Sequence, residues 1–261
     1  MRLERDLYAS LKQPGFWAYA VWLDLISKNR RNRLGPLWLV VPTAILVFAL
    51  GHVYSELMGH DIHEYMPYLG VGYVHWRLLT QVINEASNAF SGSSAYIMDG
   101  RVRFTDYLLR TMAKALFNYV FALLIVIVVM AWSPAVSLGG LATLLLTVPV
   151  LLINMFCMAV ILALLGARFP DTREVVSAVM MFAFLLTPIL WYVSKFPPGS
   201  TRGYFVSLNP LFHLLDFVRA PVIGQPMATH TVAFVFCMTA GGWMVASLLY
   251  QRYARFVPLW I

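Results

Sequence analysis

Charge is what this sequence has least of. Only 12% of its 261 residues are Asp, Glu, Lys or Arg, while 60% are hydrophobic and the mean hydropathy is +0.72. Soluble domains carry roughly a quarter of their residues as charges, so a soluble globular protein is excluded. Runs such as Tyr119 to Ala131 and Leu141 to Leu152 contain no charge, and each sits in a longer stretch near the ~20 residues that cross a ~30 Å hydrocarbon core as a helix. Strict alternation of apolar and polar positions is also missing, which excludes a membrane β-barrel. Cysteine is nearly absent. Cys157 and Cys237 both fall in apolar blocks, where each reads as a small buried hydrophobe rather than half of a disulfide or a metal ligand. The first 35 residues offer no apolar signal-peptide core and no small-residue cleavage pattern before Pro36, so Met1 is expected to be the true, cytoplasmic start.

Several chemistries have no sequence support. There is no Gly-rich phosphate loop, no His-Glu-x-x-His helix and no Gly-x-Ser-x-Gly elbow, so no engine, metal or cofactor is expected in this chain. His60 and His63 flank Asp61, but a lone His-x-x-His in a solvated loop reads as polar loop rather than a metal site.

What is present is a set of apolar segments. An all-α membrane protein with six transmembrane helices is expected, over Leu37 to Tyr54, Tyr68 to Phe90, Tyr107 to Trp132, Leu138 to Leu165, Val175 to Val193 and Thr231 to Tyr250. The chain then divides into an N-terminal arm, 1–35, and a six-span membrane domain, 36–261, with an outer connection over 194–230. Lys and Arg in the connections set the orientation. The N-terminal arm, the second and fourth loops and the tail hold thirteen of them, against three (Lys195, Arg202, Arg219) on the opposite side. Both termini are therefore expected in the cytoplasm. The same asymmetry accounts for most of the +7 net charge, so nucleic acid is not an expected partner.

Three segments depart from ordinary spans. Ala18 to Arg31 has helical periodicity, with Ala18, Val21, Trp22, Leu25 and Ile26 on one face and Asp24, Ser27, Lys28 and Arg31 on the other. It is expected in the membrane surface, either as a simple anchor or with its polar face docking a cytoplasmic partner. In the second span, Arg77, Thr80, Gln81, Asn84, Glu85, Ser87 and Asn88 fall within an arc of about 160°. A charge at the bilayer centre costs roughly 2.5–3.5 kcal/mol on insertion scales, so this face is expected against protein or a wet path. Arg77 and Glu85 paired inside the bundle is the plainer alternative to a conduit lined by Arg77, Gln81, Asn84 and Asn88 that suits a hydroxyl-rich solute. The outer connection is too apolar for an open loop, and Leu208, Leu211, Phe212, Leu214, Leu215 and Phe217 fit short helices that dip back into the outer leaflet. An extracellular cap lying on the bundle is the blander option. Asp216 and Arg219 there form an i, i+3 pair that braces a helix.

Particular strings carry a family likeness. Arg33-Leu34-Gly35-Pro36-Leu37-Trp38, Arg168-Phe169-Pro170-Asp171, Thr187-Pro188-Ile189-Leu190-Trp191, and Asn209-Pro210-Leu211-Phe212-His213-Leu214-Leu215-Asp216 followed by Arg219-Ala220-Pro221 resemble the permease subunit of bacterial ABC exporters for O-antigen and capsular polysaccharides, of the Wzm and KpsM type. The likeness runs in order through nearly the whole chain and departs at Pro170, where a basic or polar residue is expected. It implies two copies of the chain around a central conduit in the bacterial inner membrane, each bound to a separate cytoplasmic ATPase that carries ATP and Mg, moving a lipid-linked polysaccharide. It also implies re-entrant helices in the outer connection, including Asn209, Pro210, Asp216 and Arg219. The amphipathic helix would be an interface helix, with Asp24, Lys28 and Arg31 toward the ATPase, and the loop from Ser91 to Asp106, with Arg101 and Arg103, would touch the ATPase or the lipid head group. Tyr73, Trp76, Trp191 and Tyr192 would line the conduit, with Phe48 as a further candidate, since aromatic faces stack on sugars without selecting one. Ordinary interfacial packing accounts for each of these aromatics equally well. An exporter of teichoic-type polymers or small drugs, and a membrane-embedded transferase acting on lipid-linked sugars, are the rival functions.

Overall fold

A computed structural model describes residues 1–29, 35–98, 100, 102–133, 138–193 and 201–261, and of residues 28, 29, 138, 201 and 202 the backbone only. The described residues are helical throughout, joined by short turns, and contain no strand. In chain order the helices are α1 (Leu3–Lys12), α2 (Gly15–Asn29), α3 (Val41–Met58), α4 (Ile62–Ala86), α5 (Ser94–Met98), α6 (Phe104–Ala131), α7 (Leu138–Arg168), α8 (Thr172–Leu186), α9 (Thr201–Ser207), α10 (Pro210–Val222), α11 (Thr229–Tyr253) and α12 (Val257–Trp260).

By length and composition four helical stretches suffice to cross a membrane: Gly35–Met58, Phe104–Ala131, Gly139–Arg168 and Thr229–Trp260. They match the expected first, third, fourth and sixth spans. The expected second span lies in α4, whose 25 residues are long enough but carry the polar stripe. The expected fifth span is shorter than its hydropathy indicates. Instead of running to Val193, α8 stops at Leu186 after 15 residues, about 22 Å at 1.5 Å per residue. Pro188 is the cause: its ring disfavours helical geometry at the preceding residue, and Thr187 is extended, with φ −87° and ψ 134°.

The core forms where α4 lies between α3 and α6, and where α7 packs along α11 and α10. Two glycines set these distances. A β-carbon on Gly166 would overlap the Ser87 carbonyl, and one on Gly140 would overlap the Pro221 carbonyl, so α7 approaches the end of α4 and the end of α10 backbone to backbone. The outward surfaces of α3, α6, α8 and α11 carry exposed Ile45, Ile127, Phe182 and Leu248, the surface a lipid solvent requires.

The N-terminal arm begins with a helix that hydropathy does not reveal. α1 buries Leu3 completely, the Ser10 hydroxyl shares a 2.6 Å hydrogen bond with Thr105, and the Tyr250 hydroxyl donates to Asp6 at 3.0 Å. It thereby ties the beginning of α6 to the end of α11. These elements, with the α4–α6 and α7–α8 turns, form one end of the bundle, which is rich in Arg and Lys and is called the basic end below.

Candidate functional site

The stripe on α4 divides by partner. The Arg77 guanidinium donates to the Thr43 hydroxyl of α3, not to Glu85, so the two do not form the pair weighed as the plainer alternative. Glu85 instead accepts from Gln81 at 2.9 Å and pairs with Lys114 of α6 at 3.5 Å, and Asn118 of α6 donates to Gln81 at 3.0 Å. Gln81 and Glu85 thus turn into the α4–α6 contact. Tyr73, Arg77, Thr80, Asn84 and Asn88 occupy the neighbouring strip. Tyr73 packs edge-on against Phe184 of α8, and Trp76, only 4% exposed, tilts against the same ring. In the single chain Trp76 is core.

At the basic end the strip opens into a cavity of about 490 Å³ between α4, α6 and α8. Asn84, Glu85 and Asn88 form one wall, Arg110, Thr111 and Lys114 another, and Arg173 and Ser177 the third. Three cations therefore face one carboxylate. Arg110 is oriented from behind by Asp24 of α2, which accepts from its Nε at 3.0 Å and its Nη2 at 2.7 Å, the fork geometry that makes such pairs directional. The Asn84 side-chain oxygen and the Thr80 hydroxyl, one turn away, are buried without a hydrogen-bond partner among the described residues, and buried polar atoms are normally paired.

Asp24 was expected on the partner-facing side of the amphipathic helix. The structure turns it inward, and the apolar face does not behave as one unit. Val21 is buried against the bundle, whereas Trp22 is 60% exposed and Ile26 is also exposed. In a membrane protein a polar face can be the one that needs protein, because lipid satisfies an apolar face equally well. The Lys28 side chain, Arg31 and Arg101 lie outside the described residues. Arg103 begins α6, where its backbone N–H donates to Asp106, and its guanidinium donates to Gln13 at 3.2 Å.

The other end of the stripe is built from tyrosines and a broken helix. After Leu186 the carbonyls of Pro188, Leu190 and Trp191 are met by side chains. The Tyr65 hydroxyl donates to the Leu190 carbonyl at 2.6 Å, and that of Tyr68 lies 3.0 Å from the Pro188 carbonyl and 2.8 Å from that of Trp191. Arg219, 1% exposed, donates to Pro188 at 2.7 Å, stacks its guanidinium 3.9 Å over the Tyr68 ring and pairs with Asp216 at 3.2 Å. Asn209 caps α10 by accepting from Leu211 and Phe212 and donates to Thr187, while Pro210 fills the first helical position, where no N–H is needed. The i, i+3 pair read as a simple brace is thus part of a larger joint between α4, α8 and α10. Tyr192 completes an aromatic group with Tyr65, Tyr68 and His60, and Trp191 is half-exposed beside it. Phe196 to Gly199, the apolar turn expected after them, lies outside the described residues.

Arg110, Lys114 and Arg173 were missed as a site. The signal was available: Arg110 and Lys114 stand four residues apart inside an expected span, and such spacing puts two cations on one face. Among the described residues no group of three His, Cys, Asp or Glu could hold a metal ion.

Long apolar helices around a polar, aromatic-ended strip that opens into a charged cavity define a helical membrane transport protein. The chain is similar to the O-antigen export system permease protein RfbA of Myxococcus xanthus, 27% identical over 229 residues that cover 84% of each chain. No protein-family model matches it. The likeness bears out the resemblance carried by the sequence strings.

Proposed function

We propose that this chain is the membrane half of an ATP-driven exporter that moves a lipid-linked polysaccharide of the O-antigen class across the bacterial inner membrane. Two copies surround the path, each bound to a cytoplasmic ABC ATPase, and the basic end with both termini faces the cytoplasm. α4 and α8 are the second and fifth of six spans, and α9 and α10 form the outer re-entrant region. α4 can cross because its polar strip never meets lipid: α3, α6 and α8 cover its sides, and a second copy closes the half-open edge where Tyr73, Arg77 and Asn84 lie. The cavity end receives the head of the substrate, and Tyr68, Tyr192 and Trp191 give sugars an aromatic surface as they leave.

One observation carries this reading: a polar strip runs along a single helix of a chain similar, over 84% of its length, to an O-antigen export permease. Deletion of the gene in its host should abolish surface polysaccharide and leave lipid-linked polymer inside, with rescue by the resupplied chain only while the ATPase gene is intact. Surface polysaccharide that persists in the deletion strain would overturn the assignment. Topology is tested separately, in a chain with Cys157 and Cys237 replaced by Ser. A cysteine at the exposed Glu56 should react with an impermeant thiol reagent added outside, and one at the exposed Tyr96 should not.

A further inference from the structure

We infer that the end of α7 and the C-terminal segment together form a docking site for an anionic phospholipid of the surrounding bilayer, filled best by one that carries two phosphates. The inference goes beyond the export reading and takes from it only that α7 and α11 cross the membrane. Both helices finish at the basic end, α7 at Arg168 and α11 at Tyr253, and Trp260 of α12 joins them. The Arg168 guanidinium lies over the Trp260 ring at 5.8 Å and over the Phe169 ring at 5.5 Å. The Tyr253 and Phe256 rings stand 6.2 and 6.1 Å from Trp260, with Arg252 over Tyr253 at 5.6 Å and Arg255 over Phe256 at 4.7 Å. Three arginines and four rings thus form one connected surface. All three arginines are exposed, and among the described residues none forms an ion pair with a carboxylate. Asp171 and Glu174, the first acidic residues after Arg168, are exposed at the start of α8 and do not pair with it. A guanidinium on a ring is attracted through its flat face. Its N–H edge stays available, and that planar fork suits phosphate oxygens.

The surroundings of this surface select a phospholipid over an acidic protein. On α11, Met244, Leu248 and Arg252 follow one another at four-residue spacing, and the two apolar residues are each 60% exposed. On α7, the exposed Leu165 precedes Phe169 by the same interval. Apolar tracks that end in arginine fit acyl chains lying below their head group. Rings and arginines at the end of a crossing helix stand at head-group height, where basic residues attract anionic lipids. A soluble acidic partner could meet the arginines but would leave both tracks uncovered. Three cations spread over the ends of two helices exceed what one phosphate engages, and two linked phosphates match that spread.

The test uses the purified full chain in phosphatidylcholine nanodiscs doped with equal amounts of phosphatidylglycerol and cardiolipin, whose head group carries two phosphates, with retained lipid read by native mass spectrometry. Wild type should retain cardiolipin over phosphatidylglycerol, and phosphatidylglycerol over phosphatidylcholine. Arg252→Gln and Arg255→Gln should each weaken cardiolipin retention about fivefold, the contribution of one basic residue near an anionic lipid, and adding Arg168→Gln to both should abolish the preference. Arg5→Gln, exposed on α1 at the same end, should bind as wild type. The three arginine side chains are exposed and unpaired, so the variants should melt as wild type does, which keeps the comparison clean. Equal retention of the three lipids, cardiolipin retention unaffected by the triple variant, or retention of inorganic phosphate in place of lipid would overturn the inference. So would a triple variant that keeps cardiolipin but loses a co-purifying acidic protein. Normal surface polysaccharide in the deletion strain would overturn the export reading and leave this site standing.

Discussion

The two ends of α4 bury polar groups by opposite means. At the tyrosine-rich end most polar side chains have a backbone or side-chain partner: Tyr65, Tyr68 and Arg219 meet the carbonyls that follow the break in α8, and Asn209 joins Thr187, although Arg219 Nε and His60 Nε2 are buried with none among the described residues. At the basic end, partners are provided only up to a point. Asp24 and Glu85 fix two cations, while Arg173, the Asn84 oxygen and the Thr80 hydroxyl are left over among the described residues. The polar groups of the tyrosine-rich end are thus spent mainly on holding the break in α8, whereas at the basic end a whole cation is left over among the described residues.

This contrast predicts that stability and export fail in opposite orders. Arg219→Leu should have the largest effect on folding, because it strips a donor from the Pro188 carbonyl and leaves Asp216 unpaired next to the Tyr68 ring. A loss of roughly 3–5 kcal/mol is expected for one half of a buried pair, read as a sharp fall in yield and thermal midpoint in detergent. Tyr68→Phe should cost about 1–3 kcal/mol, the desolvation of an orphaned carbonyl, with the midpoint lowered and the helical content unchanged. Asp24→Asn should change stability by at most about 1 kcal/mol, since that pair is a quarter to a third exposed, yet proteolysis should release the N-terminal arm faster as α2 loses its anchor on Arg110. Asn84→Leu should leave stability within about 0.5 kcal/mol of wild type and abolish export in the complementation assay. If Asn84→Leu melts as early as Tyr68→Phe, the two ends are alike and the strip is merely structural.

Much of this was visible in the residues, and the misses have physical causes. Hydropathy located four long helices because apolar length is a direct requirement of the bilayer. It overran α8, since Pro188 to Val193 is as apolar as the helix before it, and only the backbone rule at Thr187 marks the stop. α1 escaped because its docking depends on single side chains, Leu3, Asp6 and Ser10, in an otherwise charged arm. The stripe on α4 was legible from its 3.6-residue period, but periodicity gives faces and not neighbours, so it did not reveal that Gln81 and Glu85 turn to α6 while Asn84 opens into the cavity. The cation cluster needs three helices at once, and no single segment displays it. The same limit misplaced Asp24: a wheel identifies the polar face of α2 but not that Arg110 stands opposite it.

The joint between α4, α8 and α10 also gives biogenesis a direction. Tyr65 and the Leu190 carbonyl that it serves are 125 residues apart, and Tyr68 and Pro188 are separated by 120. Synthesis runs from the N-terminus, so α4, as the proposed second span, would be made and inserted long before its acceptors and Arg219 exist. In that interval its hydroxyls lack their final partners, in a solvent that supplies none. Seating of α4 is accordingly an assembly step that follows insertion, completed only when α10 arrives, and a nascent chain halted short of Arg219 holds a helix committed to the membrane but not yet to its place in it.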